Sequence, residues 1–392
     1  MRLIRSTLLI ACILLHAMPL FASDELMDGA RTATIEFLME NAIARGLIAG
    51  SVIVIGNREG ILYSAARGRL TPAADSPPLT ERTIFDIASL TKVFATTPAI
   101  MKLLDEGRIT LTDPLTRWFP EFEGTDREDV TILNLLTHTS GFNDVSFGTD
   151  EPLKTAIRKI ATQKTWRAPG NRFHYADINF ILLGELVRRV SGLTLDRFCH
   201  DQLYAPLGMN DTLFLPPREL APRIAPTLGW RNELLSGSVQ DENSRLLGGV
   251  AGHAGLFSSA ADLALFARMV LNGGELDGRH ILPERVVTQM TAPYFFSNGN
   301  VVRGLGWDIR SPYSAPRGSF FSEMSFGHTG YSGSSVWIDP QRDLFVILLT
   351  TRLDYRDKRQ FNRLRSDIST LAVAVFSSSG KRHAQAETTQ IP

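Results

Sequence analysis

Apolar residues recur along the chain at two spacings, and the change between them divides the sequence into sections. Residues 30–47 carry the helical spacing, whereas SVIVIGN (51–57) and ILYSAARG (61–68) are short apolar or alternating runs bounded by turn residues. From residue 90 to about 271 the helical spacing dominates, with long loops between the periodic stretches. The first part of the chain therefore predicts a helix, two short strands and then a long helical section.

Strand patterns return towards the C-terminus, in VVRGLGWDIR (301–310), MSFGHTGYSGSSVWI (324–338) and DLFVILLTTR (343–352). An amphipathic helical pattern follows at about 360–376. Because strands from both ends of the chain must share one core, we predict an α/β (α+β) fold, with an antiparallel sheet flanked by helices. An all-helical subdomain, about 90–271, is inserted into this sheet domain. The polar stretch 377–392 is predicted to be a disordered tail.

The N-terminus has the pattern of an export signal. Two arginines precede an apolar run (8–21), and small residues follow at Ala22. This order is typical of a secretory signal peptide, so we predict removal of residues 1–22, leaving one folded domain over 23–376. A retained membrane anchor needs about 20 apolar residues, but this run is shorter and contains Pro19. We therefore predict a bacterial protein that is periplasmic or secreted, with no membrane span after processing.

Composition excludes several classes of partner. The chain has 41 basic and 41 acidic residues, so its formal net charge is zero and no overall field draws it to nucleic acid. Removal of the signal would leave only Cys199, which cannot form an intrachain disulfide and is expected in the core. His138 and His253 lack the partners of a metal motif and are expected to satisfy loop hydrogen bonds. We predict neither a metal nor any other cofactor.

Ser89 and Lys92 lie three residues apart in IFDIASLTKVFATTPAIMKLLDEG (84–107), so on a helix they share a face. The same spacing recurs at Ser378 and Lys381 in the polar tail, where a function is implausible. Ser89 instead follows an apolar stretch and opens a helical pattern, where free N–H groups favour the negative charge of acyl transfer. The segment alone is equally compatible with a simple N-cap serine.

Two further motifs lie downstream of this pair. In chain order, the three motifs are Ser89-Leu-Thr-Lys92, Tyr175-Ala-Asp177 and His328-Thr329-Gly330. Their identity and order resemble those of the serine β-lactamase-like superfamily, which includes class C β-lactamases, D-Ala-D-Ala carboxypeptidases and related esterases and amidases. The resemblance extends over nearly all of the mature chain and implies a cofactor-free serine hydrolase.

The resemblance also implies roles for the motif residues. Ser89 would attack the substrate carbonyl, and Lys92 and Tyr175 would handle its proton. The main-chain N–H groups of Ser89 and Tyr331 would hold the oxyanion. The remaining substrate-binding candidates are His328, Thr329, Gly330, Asp177 and Arg352. Either Tyr175 or Lys92 could be the base. We favour Tyr175, because a cationic lysine beside it favours the phenolate.

Two positions depart from the motifs of many members of the superfamily. Asp177 stands where an asparagine is common, and a carboxylate cannot donate a hydrogen bond to a substrate carbonyl. His328 stands where a lysine is common, and histidine is mostly neutral at pH 7. We therefore expect weak binding of a substrate carboxylate and a preference for small neutral esters over cephalosporins, unless Arg352 supplies the missing charge.

Three functions remain open at this stage. The first is an exported serine hydrolase that cleaves ester or amide bonds, in cell-wall peptides or small esters. The second is a β-lactamase or D-Ala-D-Ala carboxypeptidase proper. The third is a penicillin-binding or sensor module that is acylated but turns over slowly.

Overall fold

The computed structural model describes residues 21–164, 167–297 and 300–377. Residues 1–20 of the predicted signal peptide (1–22) and residues 378–392 of the predicted tail (377–392), which include Ser378 and Lys381, lie outside the described residues. Within the described part of the chain, no helix is both long enough and apolar enough to cross a bilayer.

The α-helices of the described residues are α1 (Phe21–Ala44), α2 (Thr97–Asp105), α3 (Ile132–Leu136), α4 (Pro152–Ala161), α5 (Asp177–Ser191), α6 (Leu195–Cys199), α7 (Ala205–Leu207), α8 (Glu242–Leu246), α9 (Ala260–Leu271), α10 (Glu284–Thr291) and α11 (Lys358–Phe376). The strands are β1 (Gly50–Gly56), β2 (Ile61–Gly68), β3 (Ile84–Asp86), β4 (Leu213–Phe214), β5 (Ile224–Ala225), β6 (Thr227–Leu228), β7 (Leu234–Leu235), β8 (Leu256–Ser259), β9 (Glu275–Leu276), β10 (Arg279–His280), β11 (Phe295–Ser297), β12 (Asn300–Arg303), β13 (Phe326–Thr329), β14 (Ser335–Asp339) and β15 (Leu344–Thr351).

The main sheet joins the two ends of the chain. Its order is β13-β14-β15-β1-β2, and β1 pairs antiparallel with β15, with Ile53 opposite Leu348. Ile53 and Leu348 pack with α1 and α11 on one face, whereas Val52 and Leu349 face the larger core on the helical side. Both faces are covered, which explains why these strands appear in the sequence as continuous apolar runs. The predicted antiparallel sheet flanked by helices is confirmed.

The long middle section is mainly helical, but it is not all-helical as predicted. It contains the short strands β4 to β8, and a second sheet has the order β4-β8-β3-β5. Strands of two to four residues are too short to show a period of two in the sequence. The strand predicted over 301–310 also ends early, at Arg303, because the chain turns at Gly306, whose φ is +76°.

Candidate active site

Ser89 lies in a tight turn directly after β3. Residues Ala88–Leu90 form one turn of 3₁₀-helix, and Ala88 has a φ of +47°, which is unusual for a residue with a side chain. The carboxylate of Asp86 accepts hydrogen bonds from the Ala88 N–H at 2.9 Å and from the Gln240 N–H at 2.8 Å. Asp86 thus fixes the strained turn, a role that the sequence did not suggest.

Lys92 is completely buried, on the π-helical turn that follows Ser89 and leads into α2. Its Nζ lies 3.0 Å from Ser89 Oγ, 2.7 Å from Asp177 Oδ1 and 3.0 Å from the main-chain oxygen of His253. Burial alone lowers the pKa of Lys92, but the nearby Asp177 carboxylate outweighs burial and raises the pKa above its ordinary value. Lys92 is therefore an ammonium group at neutral pH.

Tyr175 lies just before α5, with its ring stacked on His138 at 4.4 Å between ring centres. Its hydroxyl shares hydrogen bonds with Lys92 and Ser89, and Lys92 Nζ is 5.2 Å from the ring centre. Burial raises the pKa of Tyr175, and the opposing effect of Lys92 is too small to reverse it. Lys92 thus favours the phenolate, as expected, but burial penalises the charged form more strongly, so the phenol is neutral in the resting site.

The third motif packs directly on the Ser89 turn. The hydroxyl of Ser332 donates to the main-chain oxygen of Asp86 at 2.6 Å, and the hydroxyl of Ser334 donates to that of Ile87 at 3.0 Å. A Cβ atom at Gly330 would lie only 2.4 Å from the Ile87 oxygen, so glycine permits this close approach. The end of β13, with Tyr331 after it, is thereby held against the nucleophile turn.

His328 is buried, and both of its ring nitrogens are engaged within the protein. Nδ1 lies 2.9 Å from the main-chain oxygen of Thr329, and Nε2 lies 3.4 Å from Nη2 of Arg303. This pattern assigns the hydrogen to Nδ1 and the lone pair to Nε2. Burial and the Arg303 charge hold the pKa of His328 well below its usual range, so the ring is neutral.

A cleft of about 350 Å³ opens beside Ser89. Of the residues predicted for the site, it is lined by Ser89, Tyr175, His328, Thr329, Gly330, Tyr331 and Arg352. Lys92 and Asp177 are not among the residues that line this cleft, and Asp177 Oδ1 lies 2.7 Å from Lys92 Nζ. The structure thus brings the predicted residues together in one site.

The cleft wall also carries cations that sequence reasoning missed: Arg303, Lys358 and Arg365. Arg303 is 1% exposed, and its Nε has no hydrogen-bond partner within the described residues. The Nη2 atom of Arg352 is likewise unpartnered there, while the ring of Phe361 lies 4.1 Å from its guanidinium carbon. Arg352, the cation that the sequence suggested as a source of positive charge, is therefore accompanied by three others in this cleft. Only the basic residues in the C-terminal strand and helix patterns could have hinted at them.

The glycine-rich loop before β8 (248–255) supplies a hydrogen-bond acceptor for Lys92, the main-chain oxygen of His253. A Cβ atom at Gly252 would lie 2.0 Å from the main-chain oxygen of Phe180, so this loop contacts α5 backbone to backbone. The ring of His253 is held by Asp241, whose Oδ1 lies 2.8 Å from Nε2. His253 thus satisfies a loop hydrogen bond, as predicted. Asp177, Asp241 and His253 could together bind a cation, but Lys92 already neutralises Asp177.

Comparison with known proteins gives consistent matches. The sequence model of the Beta-lactamase family matches residues 32–368. A Salmonella agona protein named as a D-alanyl-D-alanine carboxypeptidase is 27% identical over 363 residues, covering 83% of each chain.

Two solved structures show the same fold. A class C beta-lactamase superposes with a TM-score of 0.73 at 18% identity, covering 89% of this chain and 97% of the other. EstCE1, a hydrolase with promiscuous acyltransferase activity, superposes with a TM-score of 0.69 at 21% identity, covering 88% of this chain and 99% of the other.

Proposed function

Because the chain belongs to the Beta-lactamase family, we propose that this serine hydrolase cleaves amide or ester bonds through an acyl-enzyme on Ser89. The resemblance inferred from the three motifs is thereby confirmed at the level of the family. The observation that carries the proposed mechanism is the contact between Lys92 Nζ and Ser89 Oγ, 3.0 Å apart beside Tyr175. Covalent labelling of Ser89 by a fluorophosphonate probe tests it.

In the proposed reaction, Ser89 Oγ attacks the substrate carbonyl while its proton enters the network of Tyr175 and Lys92. The N–H groups of Ser89 and Tyr331 stabilise the oxyanion, since the contacts of Ser332 and Ser334 hold the two segments together. The network then returns the proton to the leaving group, and water releases the acyl group from Ser89. No metal is needed to polarise the carbonyl in this scheme.

The proposed substrate carries a negative charge near the scissile bond, as the carboxylate of a cell-wall peptide does. Arg303, Arg352, Lys358 and Arg365 line the cleft, against the single acidic residue Asp308. Burying unpaired guanidinium nitrogens is costly, and an anionic substrate group would satisfy them. This reverses the preference for neutral esters inferred from His328 and Asp177 alone. The carboxypeptidase name of the Salmonella relative supports the same substrate class.

We expect Arg352→Met to lower kcat/KM for a D-Ala-D-Ala peptide about 10- to 100-fold, because one charge-assisted hydrogen bond contributes roughly 1.5–3 kcal/mol. Turnover of a neutral short-chain ester should change less than about threefold. Arg356→Met is the matched control, since that arginine lies in the same loop, is 91% exposed and pairs with Asp354. Equal losses on peptide and ester in Arg352→Met would contradict the charge argument.

Export belongs to the same proposal. The basic, apolar and small-residue order of residues 1–22 supports export to the periplasm or out of the cell, where cell-wall peptides are found. The intact mass of protein isolated from its native host should therefore correspond to a chain that begins near Ser23. A mass that includes Met1 would contradict export with cleavage.

A further inference from the structure

The ammonium group of Lys92 is surrounded by polar atoms. It donates hydrogen bonds to Ser89 Oγ and to the main-chain oxygen of His253, shares a hydrogen bond with the Tyr175 hydroxyl, and forms an ion pair with Asp177 Oδ1 at 2.7 Å. An ammonium group has no lone pair, so it cannot accept the serine proton while it keeps all three of its own hydrogens. Lys92 can serve as a base only if it first passes one of its own hydrogens to a neighbour.

The neighbours differ in their capacity to take that hydrogen. Ser89 is the group being deprotonated, and the His253 oxygen is a neutral amide carbonyl. Tyr175 already carries its proton, because burial keeps the phenol neutral. Asp177 is the one carboxylate that touches Lys92 Nζ within the described residues. It is also better exposed, since its side chain is 32% accessible whereas that of Lys92 is completely buried.

We propose that Asp177 is the proton acceptor of the acylation step and acts through Lys92. As Ser89 Oγ forms its bond to the substrate carbonyl carbon, the Oγ–H bond breaks and this proton moves to Lys92 Nζ. Lys92 simultaneously releases a proton to Asp177 Oδ1, so the lysine remains an ammonium and the carboxylate becomes a carboxylic acid. The new negative charge resides on the substrate oxyanion. The proton later returns by the same route to the leaving group. This inference rests on the proposed acyl-enzyme function.

Charged and polar groups surround the Asp177 carboxylate. Lys92 and Tyr175 face it from the two catalytic motifs, and His253 and Asp241 lie near it from the glycine-rich loop and the start of α8. Asp144 adds a further carboxylate from the loop before α4. Among these groups, Lys92 is the one whose Nζ lies 2.7 Å from Asp177 Oδ1 and 3.0 Å from Ser89 Oγ, so the proposed proton transfer runs through it.

The test is Asp177→Asn, which keeps the size of the side chain but removes its basicity. At pH 7 we expect a 10- to 100-fold lower kcat on a short-chain ester, with a KM within about threefold of wild type and equally slowed fluorophosphonate labelling. Activity of the variant should then rise with pH. Without the Asp177 charge, the largest effect that opposes burial is lost, so the pKa of Lys92 falls and the lysine can lose a proton and act as base itself.

Asp144→Asn is the matched control, because Asp144 is also a carboxylate near the network but binds the Ile178 N–H, at 2.9 Å, instead of Lys92. The fluorophosphonate probe should label the Asp144→Asn variant at nearly the wild-type rate. The inference is overturned if Asp177→Asn is as active as wild type at pH 7, if its loss is the same at every pH, or if Asp144→Asn is equally slow. Absence of labelling in the wild type would instead refute the acyl-enzyme itself.

Discussion

Replacing Ser89 by alanine is expected to abolish fluorophosphonate labelling and to lower kcat/KM on a short-chain ester at least about 10³-fold. The substitution removes the nucleophilic oxygen, and no other hydroxyl contacts both Lys92 and Tyr175 within the described residues. The fold should be retained. The turn is held by the Asp86 carboxylate and by Ser332 and Ser334, none of which depends on the Ser89 side chain.

The control for this experiment is Ser378→Ala, which removes the serine of the second Ser-x-x-Lys pair in the chain. Its labelling and turnover should equal those of the wild type, because only the Ser89 copy is followed by the other two motifs. Peptide mapping of the labelled protein would place the probe on Ser89. Undiminished turnover by Ser89→Ala, with its thermal melt unchanged, would refute the mechanism.

Replacing His328 by lysine is expected to lower the free energy of unfolding by about 3 kcal/mol and to reduce turnover. The reason is Arg303, whose Nη2 lies 3.4 Å from Nε2 of His328. Both side chains are buried, with 1% exposure for Arg303 and 4% for His328. A lysine at this position would place two cations side by side in a poorly hydrated wall, where like charges repel strongly.

The double variant His328→Lys, Arg303→Met should recover most of this loss, because it leaves one cation in the wall instead of two. Urea unfolding of wild type, both single variants and the double variant gives the coupling free energy directly. His328→Gln is the neutral control and should be destabilised by no more than about 1 kcal/mol. A lysine variant as stable as wild type would mean that Arg303 does not repel this position.

The His328 result would also decide between two interpretations of the third motif. From the sequence alone, a lysine at this position should improve carboxylate binding, since it adds a charge that histidine lacks. In the folded protein a buried cation, Arg303, already lies against this position, from a strand 25 residues earlier in the chain, and it forms an ion pair with Asp308. The sequence alone therefore predicts that His328→Lys improves carboxylate binding, whereas the structure predicts that it lowers stability and turnover.

The sequence by itself determined the elements that have a local signature. The apolar runs of β1 and β15 predicted buried strands, and the helical spacing near 360–376 predicted α11. The three motifs and their order indicated the family, which the match over residues 32–368 then established. These features can be predicted from the sequence because a motif or a periodic run consists of residues that are close together in the chain, so it does not depend on contacts made across the core.

Tertiary structure alone decided the electrostatics of the site. Lys92 donates a hydrogen bond to the main-chain oxygen of His253, 161 residues away, and Ser332 donates one to the Asp86 oxygen, 246 residues away. No periodicity or spacing encodes such pairs. The protonation states follow from them, because a pKa depends on burial and on which charges fold against the group. Hence Tyr175 remains a neutral phenol and Lys92 remains an ammonium in the resting site, whereas the sequence left open which of the two is the base. His328 is neutral, as its residue type indicated, but the structure adds the cause, which is burial beside Arg303.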